Sequence, residues 1–298
     1  MGDVLAGIHA TWEFGTDSVL IRFERGIRAP KLFQALRERR IPYEALESVT
    51  LRPGKRGTVV LHAVPRPGAD PLMEAAAGQL KESCDPYRLV LPAEREMLAE
   101  YYADELRSSL VAHAGDTAER HLVAAPEAPL SFKAYDGRAG FDGKQVTFRW
   151  FWTGASSEKW KAGDQTFPVA RLGGVEWRSP EVFDGHLRLL PRATDGTEGF
   201  AGPADRDPAS VVFGLGYGPV HESLPFAAAV LAAVRGGGAG GAGGAGLSIP
   251  HQIVPVPADR RDPADIAERI RHLGDLHRAG LVTDDEFSAK KAELLAEL

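Results

Sequence analysis

The chain has 298 residues, 44% of them hydrophobic and 26% charged, with a formal net charge of -6 at pH 7. That length suits two moderate domains plus a smaller piece, and the composition is that of an ordinary globular protein with no global attraction for nucleic acid. The one cysteine, Cys84, excludes an internal disulfide and is expected to be a small packed residue, and the longest apolar run, Phe226 to Val234, is too short to span a bilayer.

At the start, Met1-Gly2-Asp3-Val4 lacks the basic flank and apolar run of a signal peptide, so a cytoplasmic protein is expected. Ile8 to Phe14, Ser18 to Phe23, Ser48 to Arg52, Thr58 to Val64 and Tyr87 to Leu91 are short β-branched or aromatic runs bounded by Gly, Pro or Asp, and they read as strands. Ala93 to Val111 follows as an amphipathic helix, with Leu98, Tyr102, Leu106 and Leu110 every four positions and Pro92 suited to its first turn. Pro65 to Pro86 reads as an irregular insertion of the kind that varies freely on surfaces, in which Asp70-Pro71 starts a short helix over 72–77.

The same plan then returns. Ile41-Pro42 with Leu46, Val49 and Arg52 matches Phe167-Pro168 with Leu172, Val175 and Arg178; upstream, Phe14, Val19, Ile21 and Arg22 match Phe141, Val146, Phe148 and Arg149. Downstream, Gly57, Val59 and Leu61 are matched to Gly185, Leu187 and Leu189. A period of about 127 residues is a whole domain, far outside the roughly 20 to 50 residue window of solenoids. In this second copy the expected strands are Gln145 to Trp152, Val175 to Arg178, His186 to Leu190 and Ser210 to Phe213, with a closing helix over Leu224 to Val234. Pro191 to Pro208 is its insertion.

After Arg235 the run from Gly236 to Gly246 has no side chain larger than methyl and reads as a flexible tether, continued by the proline-rich stretch Ile249 to Pro257. A helical hairpin is expected beyond it. Ile266, Ile270, Leu273 and Leu276 share one face, Gly280 stops the first helix with Leu281 covering its end, and Thr283-Asp284-Asp285-Glu286 caps a second helix bearing Phe287, Leu294 and Leu298. Two helices this short bury too little apolar area to fold alone. The stripe is therefore expected to bind a second copy of the chain, a homo-oligomer being the first expectation, or another protein. The organisation expected is a first repeat over 1–115, a second over 126–235, a linker over 236–258 and the hairpin over 259–298.

Ile270, Leu273, Leu276, Gly280, Leu281, Thr283, Glu286, Phe287, Lys290, Lys291, Leu294 and Leu295 make the tail similar to the SHOCT module, a short C-terminal helical hairpin of bacterial proteins; the resemblance spans Ile266 to Leu298 and implies oligomerisation. His272 and His277 depart from its pattern and stay off the apolar stripe. The body, from about Gly7 to Val234, resembles an actinobacterial family that sets two PH-like (pleckstrin-homology-like) units ahead of such a tail, on the Phe-x-x-x-x-Val-x-Ile-Arg and Ile-Pro-x-x-x-Leu-x-x-Val runs. That resemblance implies a mainly β, α+β architecture: two tandem PH-like bent sheets, each closed by a C-terminal helix, plus the hairpin. It implies no reaction.

Chemistry is sparse in the motifs. Gly238 to Gly243 spells G-x-G-x-x-G, but no strand precedes it and no helix follows, so no nucleotide cofactor is expected. Gly214, Gly216 and Gly218 read as a loop that shapes the entry to the last helix rather than as an anion cradle. The nine histidines show no metal-ligand spacing, Asp205 and Asp207 sit beside prolines as turn residues, and Cys84 has no evident base nearby, so neither a metal site nor an enzyme is expected. One charge bias stands out. Between Arg22 and Arg56 basic residues exceed acidic ones by six, and Arg22, Arg25, Arg28, Arg37, Arg39 and Arg40 are the candidates for weak contact with an anionic membrane, a membrane-peripheral role set against that of a solvated basic loop. The matching part of the second repeat carries Trp150, Phe151, Trp152 and Trp160, expected in a core or an interface.

Overall fold

The computed structural model describes residues 3–192, 202–238 and 288. The tail positions on which the assembly expectation rests lie outside the described residues. The first repeat opens with a four-stranded antiparallel sheet, β1 (Asp3–Ala6), β2 (Ala10–Phe14), β3 (Ser18–Phe23) and β4 (Glu38–Pro42), with neighbours in chain order. A three-stranded antiparallel sheet follows, β5 (Leu46–Pro53), β6 (Thr58–Pro65) and β7 (Arg88–Pro92). Three helices accompany these strands: α1 (Lys31–Leu36) joins β3 to β4, α2 (Pro71–Ala76) lies between β6 and β7, and α3 (Glu96–Ser108) closes the repeat.

The second repeat has β8 (Leu130–Lys133), β9 (Gly137–Phe141), β10 (Gln145–Trp150) and β11 (Gln165–Pro168) in one sheet. Its other sheet is β12 (Leu172–Arg178), β13 (His186–Pro191) and β14 (Ser210–Val212), with α4 (Ser157–Ala162) before β11 and α5 (Val220–Gly238) at the end. The molecule is thus mostly β with several helices, in four antiparallel sheets and two tandem domains.

Period-2 burial explains the strands. β2 turns Ala10, Trp12 and Phe14 inward, and β3 does the same with Val19, Ile21 and Phe23. The closing helix sets Tyr102, Leu106 and Leu110 of its expected face against the core but not Leu98. It buries Ala99, Tyr102, Ala103 and Leu106, while Leu98 is exposed with Met97 and Tyr101. The two alanines let the helix approach the sheet closely, and Tyr102 stacks on Phe14 with centroids 4.2 Å apart.

Backbone hydrogen bonds repeat across the two halves. Ile8 N donates to Val90 O as Tyr135 N does to Val212 O, Glu24 N to His9 O as Phe151 N to Asp136 O, and Arg66 N to Ala45 O as Arg192 N to Arg171 O. Both β5 and β12 carry a register shift one residue into the strand, at Leu46/Ser48 and Leu172/Gly174. One expected match needs correction. Arg52 pairs with Val60 and Arg178 with His186, which makes Leu187, not Leu189, the counterpart of Leu61. A slip of two residues preserves the inward face, so the pattern of apolar residues alone does not reveal it.

The insertion of the first repeat is not a free surface loop. Asp70 caps α2, its side chain accepting from Leu72 N at 2.9 Å, and Leu72, Ala75 and Ala76 of α2 join Leu32 of α1 in the core of the second repeat, beside α5. Gln79 bridges the repeats twice, donating to Trp177 O at 3.0 Å and accepting from Ser179 N at 2.9 Å. Cys84 packs at the edge of the same core, and burial pushes its thiol pKa up. The stretch that connects the repeats also folds back, with Ala118 N donating to Pro67 O and both Leu122 N and Val123 N to Ala69 O.

Candidate functional site

The basic segment spreads over β3, β4 and the connection between them. Arg22 and Arg40 stand on the outer face of the sheet, because the alternation places Ile21 and Ile41 inward. Arg22 pairs with Glu13 and lies 3.7 Å from Glu38, so its charge is balanced locally. Arg40 Nη1 donates to Ser18 Oγ at 3.0 Å. Arg25 and Arg28 lie exposed on either side of Ile27, whose side chain is fully exposed. Gln34 of α1 holds this connection in place by donating to Gly26 O at 3.0 Å and Ala29 O at 3.2 Å. Arg37, exposed at φ 62°, ends α1.

Arg39 is the exception, and it leaves the set of candidate anion contacts. It faces inward on β4, is 6% exposed, and sets Nη2 2.7 Å from Asp70 Oδ1 and Nε 3.1 Å from Tyr87 Oη. Tyr87 Oη donates in turn to Asp70 Oδ2 at 2.6 Å. Burial opposes the guanidinium charge, but Asp70 and Tyr87 outweigh it and hold its pKa above the ordinary value. This triad ties the insertion to both sheets of the first repeat.

The second repeat places a different polar pair at the corresponding end. Lys159 of α4 is fully buried, with Nζ 2.5 Å from Asp136 Oδ2, donating also to Ser210 O at 2.8 Å and lying 5.0 Å from the Trp150 ring centroid. Asp136 Oδ1 accepts from Val212 N at 2.9 Å. Burial raises the Asp136 pKa and lowers that of Lys159, and their mutual attraction opposes both shifts. In the first repeat the same positions hold His9 and Phe33, and Phe33 stacks on Phe23 at 4.5 Å where Lys159 meets Trp150. Of the aromatic group, Trp150 is buried, while Trp152 and Trp160 are partly exposed.

A cleft between β11 and the sheet of β12, β13 and β14 encloses about 400 Å³. Phe167, Leu172 and Leu189 give it apolar walls, and Arg171, Arg188 and Asp207 line its polar side. Arg188 Nε lies 3.1 Å from Asp207 Oδ2, an ion-pair distance, but off the axis of its N–H, so the contact is Coulombic rather than a formed hydrogen bond. The triple-glycine loop lies elsewhere and uses its own amides. Gly218 N donates to Lys133 O at 2.7 Å and Gly214 N to Tyr217 O. Gly218 has φ +64°, and a Cβ there would sit 2.2 Å from the Phe213 ring, so no other residue fits.

Asp207 serves the turn before β14, accepting from Ala209 N at 2.8 Å. Among the described residues no cluster of His, Cys, Asp and Glu has the geometry of a metal site, and no helix is long and apolar enough to cross a membrane. The expected assembly residues Ile266, Ile270, Leu273, Leu276, Leu281, Phe287, Leu294 and Leu298 all lie outside the described residues.

Two copies of one seven-stranded, helix-closed module, joined through a shared core, define a tandem-repeat protein. The family model described as Domain of unknown function (DUF4429) matches the chain twice, over residues 12–107 and 139–231, and the chain belongs to that family. No curated protein matches it.

Proposed function

We propose that the protein is a non-catalytic scaffold, in which the two-repeat body is presented by a tail that self-associates or docks a partner protein in the cytoplasm. Each module is read as PH-like, and its four-plus-three antiparallel strands closed by a helix support that reading. The tail is read as a SHOCT hairpin. The observation that carries the proposal is the burial of Leu72, Ala75 and Ala76 in the second core, which makes the tandem body one unit suited to being multiplied rather than a hinge that opens on a substrate. The full chain should sediment as a multiple of 32.1 kDa, and a chain ending at Gly240 should sediment as a monomer with unchanged thermal stability. Equal association states for the two would remove the tail from assembly.

A second reading rests on Ile27. A fully exposed apolar side chain between Arg25 and Arg28, with Arg37 and Arg40 nearby in sequence and the connection held by Gln34, suits shallow insertion into an anionic membrane. Four exposed arginines offer roughly 1 kcal/mol each at such a surface, and multimerisation through the tail raises avidity. Co-sedimentation with phosphatidylserine vesicles should fall about tenfold in the Ile27→Glu variant and weaken further as salt rises. Equal binding by wild type and variant would sink this reading.

A further inference from the structure

The cleft of the second repeat is the position that the first repeat fills with its own tyrosine. Ala63 N donates to Tyr87 O in the first repeat and Leu189 N to Ala209 O in the second, which makes Ala209 the counterpart of Tyr87. The Tyr87 ring is fully buried across the gap between its two sheets, with its hydroxyl held by Arg39 and Asp70. In the second repeat that arrangement is gone. Gln165 stands in place of Arg39 and donates to Ala162 O and Gly163 O instead, and Ala209 offers a methyl group where the ring lay.

What lines the gap has changed along with its plug. Arg171 replaces Ala45 and Arg188 replaces His62, so two guanidinium groups now border a space whose counterpart in the first repeat is closed by the Tyr87 ring. Asp207 offsets one of them. Arg171 is exposed at its edge, and among the described residues no carboxylate pairs with it. A volume of about 400 Å³ falls within the range of small-molecule sites, and it is walled by the leucines and phenylalanine that a flat ring would contact.

We infer that this cleft binds a free single-ring aromatic carboxylate, the ring taking the place that the Tyr87 side chain fills in the first repeat and the carboxylate meeting Arg171. The assignment extends beyond the scaffold reading and stands independently of it. Arg171 supplies the charge and a planar donor pair that matches a carboxylate. Phe167, Leu172 and Leu189 supply the apolar contact.

The test uses the full chain and 4-hydroxyphenylacetate as probe, followed by calorimetry and ligand-observed NMR. Saturable binding with a dissociation constant on the order of 1 mM or tighter is expected for so small a ligand. The neutral analogue 4-ethylphenol and the exposed-site variant Arg171→Ala should each weaken binding by about fivefold or more, as loss of a charge-assisted contact predicts. Ala209→Tyr, which restores the plug, should abolish binding and raise the thermal midpoint by a few degrees, on the order of the gain from filling a cavity. No saturation by about 10 mM probe, affinity unchanged in Ala209→Tyr, or 4-ethylphenol binding as tightly as the acid would each overturn the assignment. Should Ala209→Tyr fail to fold, the gap is not vacant as inferred, and an undiminished affinity in Arg171→Ala sinks the anionic half by itself.

Discussion

Replacing Lys159 by methionine is expected to cost about 3–5 kcal/mol of stability at neutral pH, the largest effect of any single side chain in the second repeat. The reason is what stays behind. Asp136 is 2% exposed, and without the ammonium 2.5 Å from its Oδ2 it keeps only neutral backbone amides, that of Val212 and its own, as partners. The loss of Lys159 itself is tolerable in shape, since the first repeat holds Phe33 at that position, stacked on Phe23. Adding Asp136→Asn to the Lys159 variant removes the stranded charge while leaving an oxygen for Val212 N, and it should recover about half of the deficit.

The pH dependence follows from the sign of the shift. Burial already raises the Asp136 pKa above its unfolded value, and the variant loses the attraction to Lys159 that opposes this. Between the unfolded and folded pKa the folded state then binds more protons than the unfolded chain, so stability rises as pH falls through the folded pKa. The deficit of the Lys159→Met chain should therefore be largest near neutrality and shrink on acidification, as measured by urea denaturation at several pH values. A deficit that is small at pH 7, or that stays constant into the acid range, would show that Asp136 finds another partner.

The tandem repeat and most strand cores were legible in the chain because apolar alternation survives wherever one face of a strand is buried. β4 was not, since Glu38-Arg39-Arg40-Ile41-Pro42 looks like a charged loop until Arg39 is seen to be neutralised by Asp70. β9, which is Gly-Arg-Ala-Gly-Phe, has only Phe141 of the branched and aromatic residues that mark a strand and is recovered through its pairing with β8 and β10. The cap at Asp70 was readable, being a local signal; the burial of the helix it starts was not, because that depends on a surface of α5 more than a hundred residues away. The open cleft leaves an equally faint trace. Its main mark in the chain is a tyrosine in one copy answered by an alanine in the other, and that correspondence, like those of Gln165, Arg171 and Arg188, requires the strand register to be known first. Of the six basic candidates, five remain exposed and one proves structural, a distinction that charge counting cannot make because burial and pairing are decided by the fold.

Leu72 is where the second large effect is expected, and its location decides how the effect should look. It belongs by sequence to the first repeat, is fully buried, and packs with Ala75 and Ala76 into the core built around α5. Truncation to alanine deletes three heavy atoms from a site walled by a capped helix on one side and a long helix on the other, so little collapse is available to fill the void. A cost of about 2–5 kcal/mol follows. Because the cavity opens at the junction, the loss should appear in the second repeat as much as in the first: amide protons of β12, which abuts α2 and takes the Gln79 bridge at Trp177, should exchange faster, whereas those of β2 and β3 should keep their protection. Were the repeats independent folding units, the same substitution would weaken only residues before Ser109, and β12 protection would be untouched. Gln79→Ala separates the two possibilities from the polar side. Removing both of its hydrogen bonds across the junction should cost about 1–3 kcal/mol and add less than fully to the Leu72 effect, since each change loosens the contact that the other depends on.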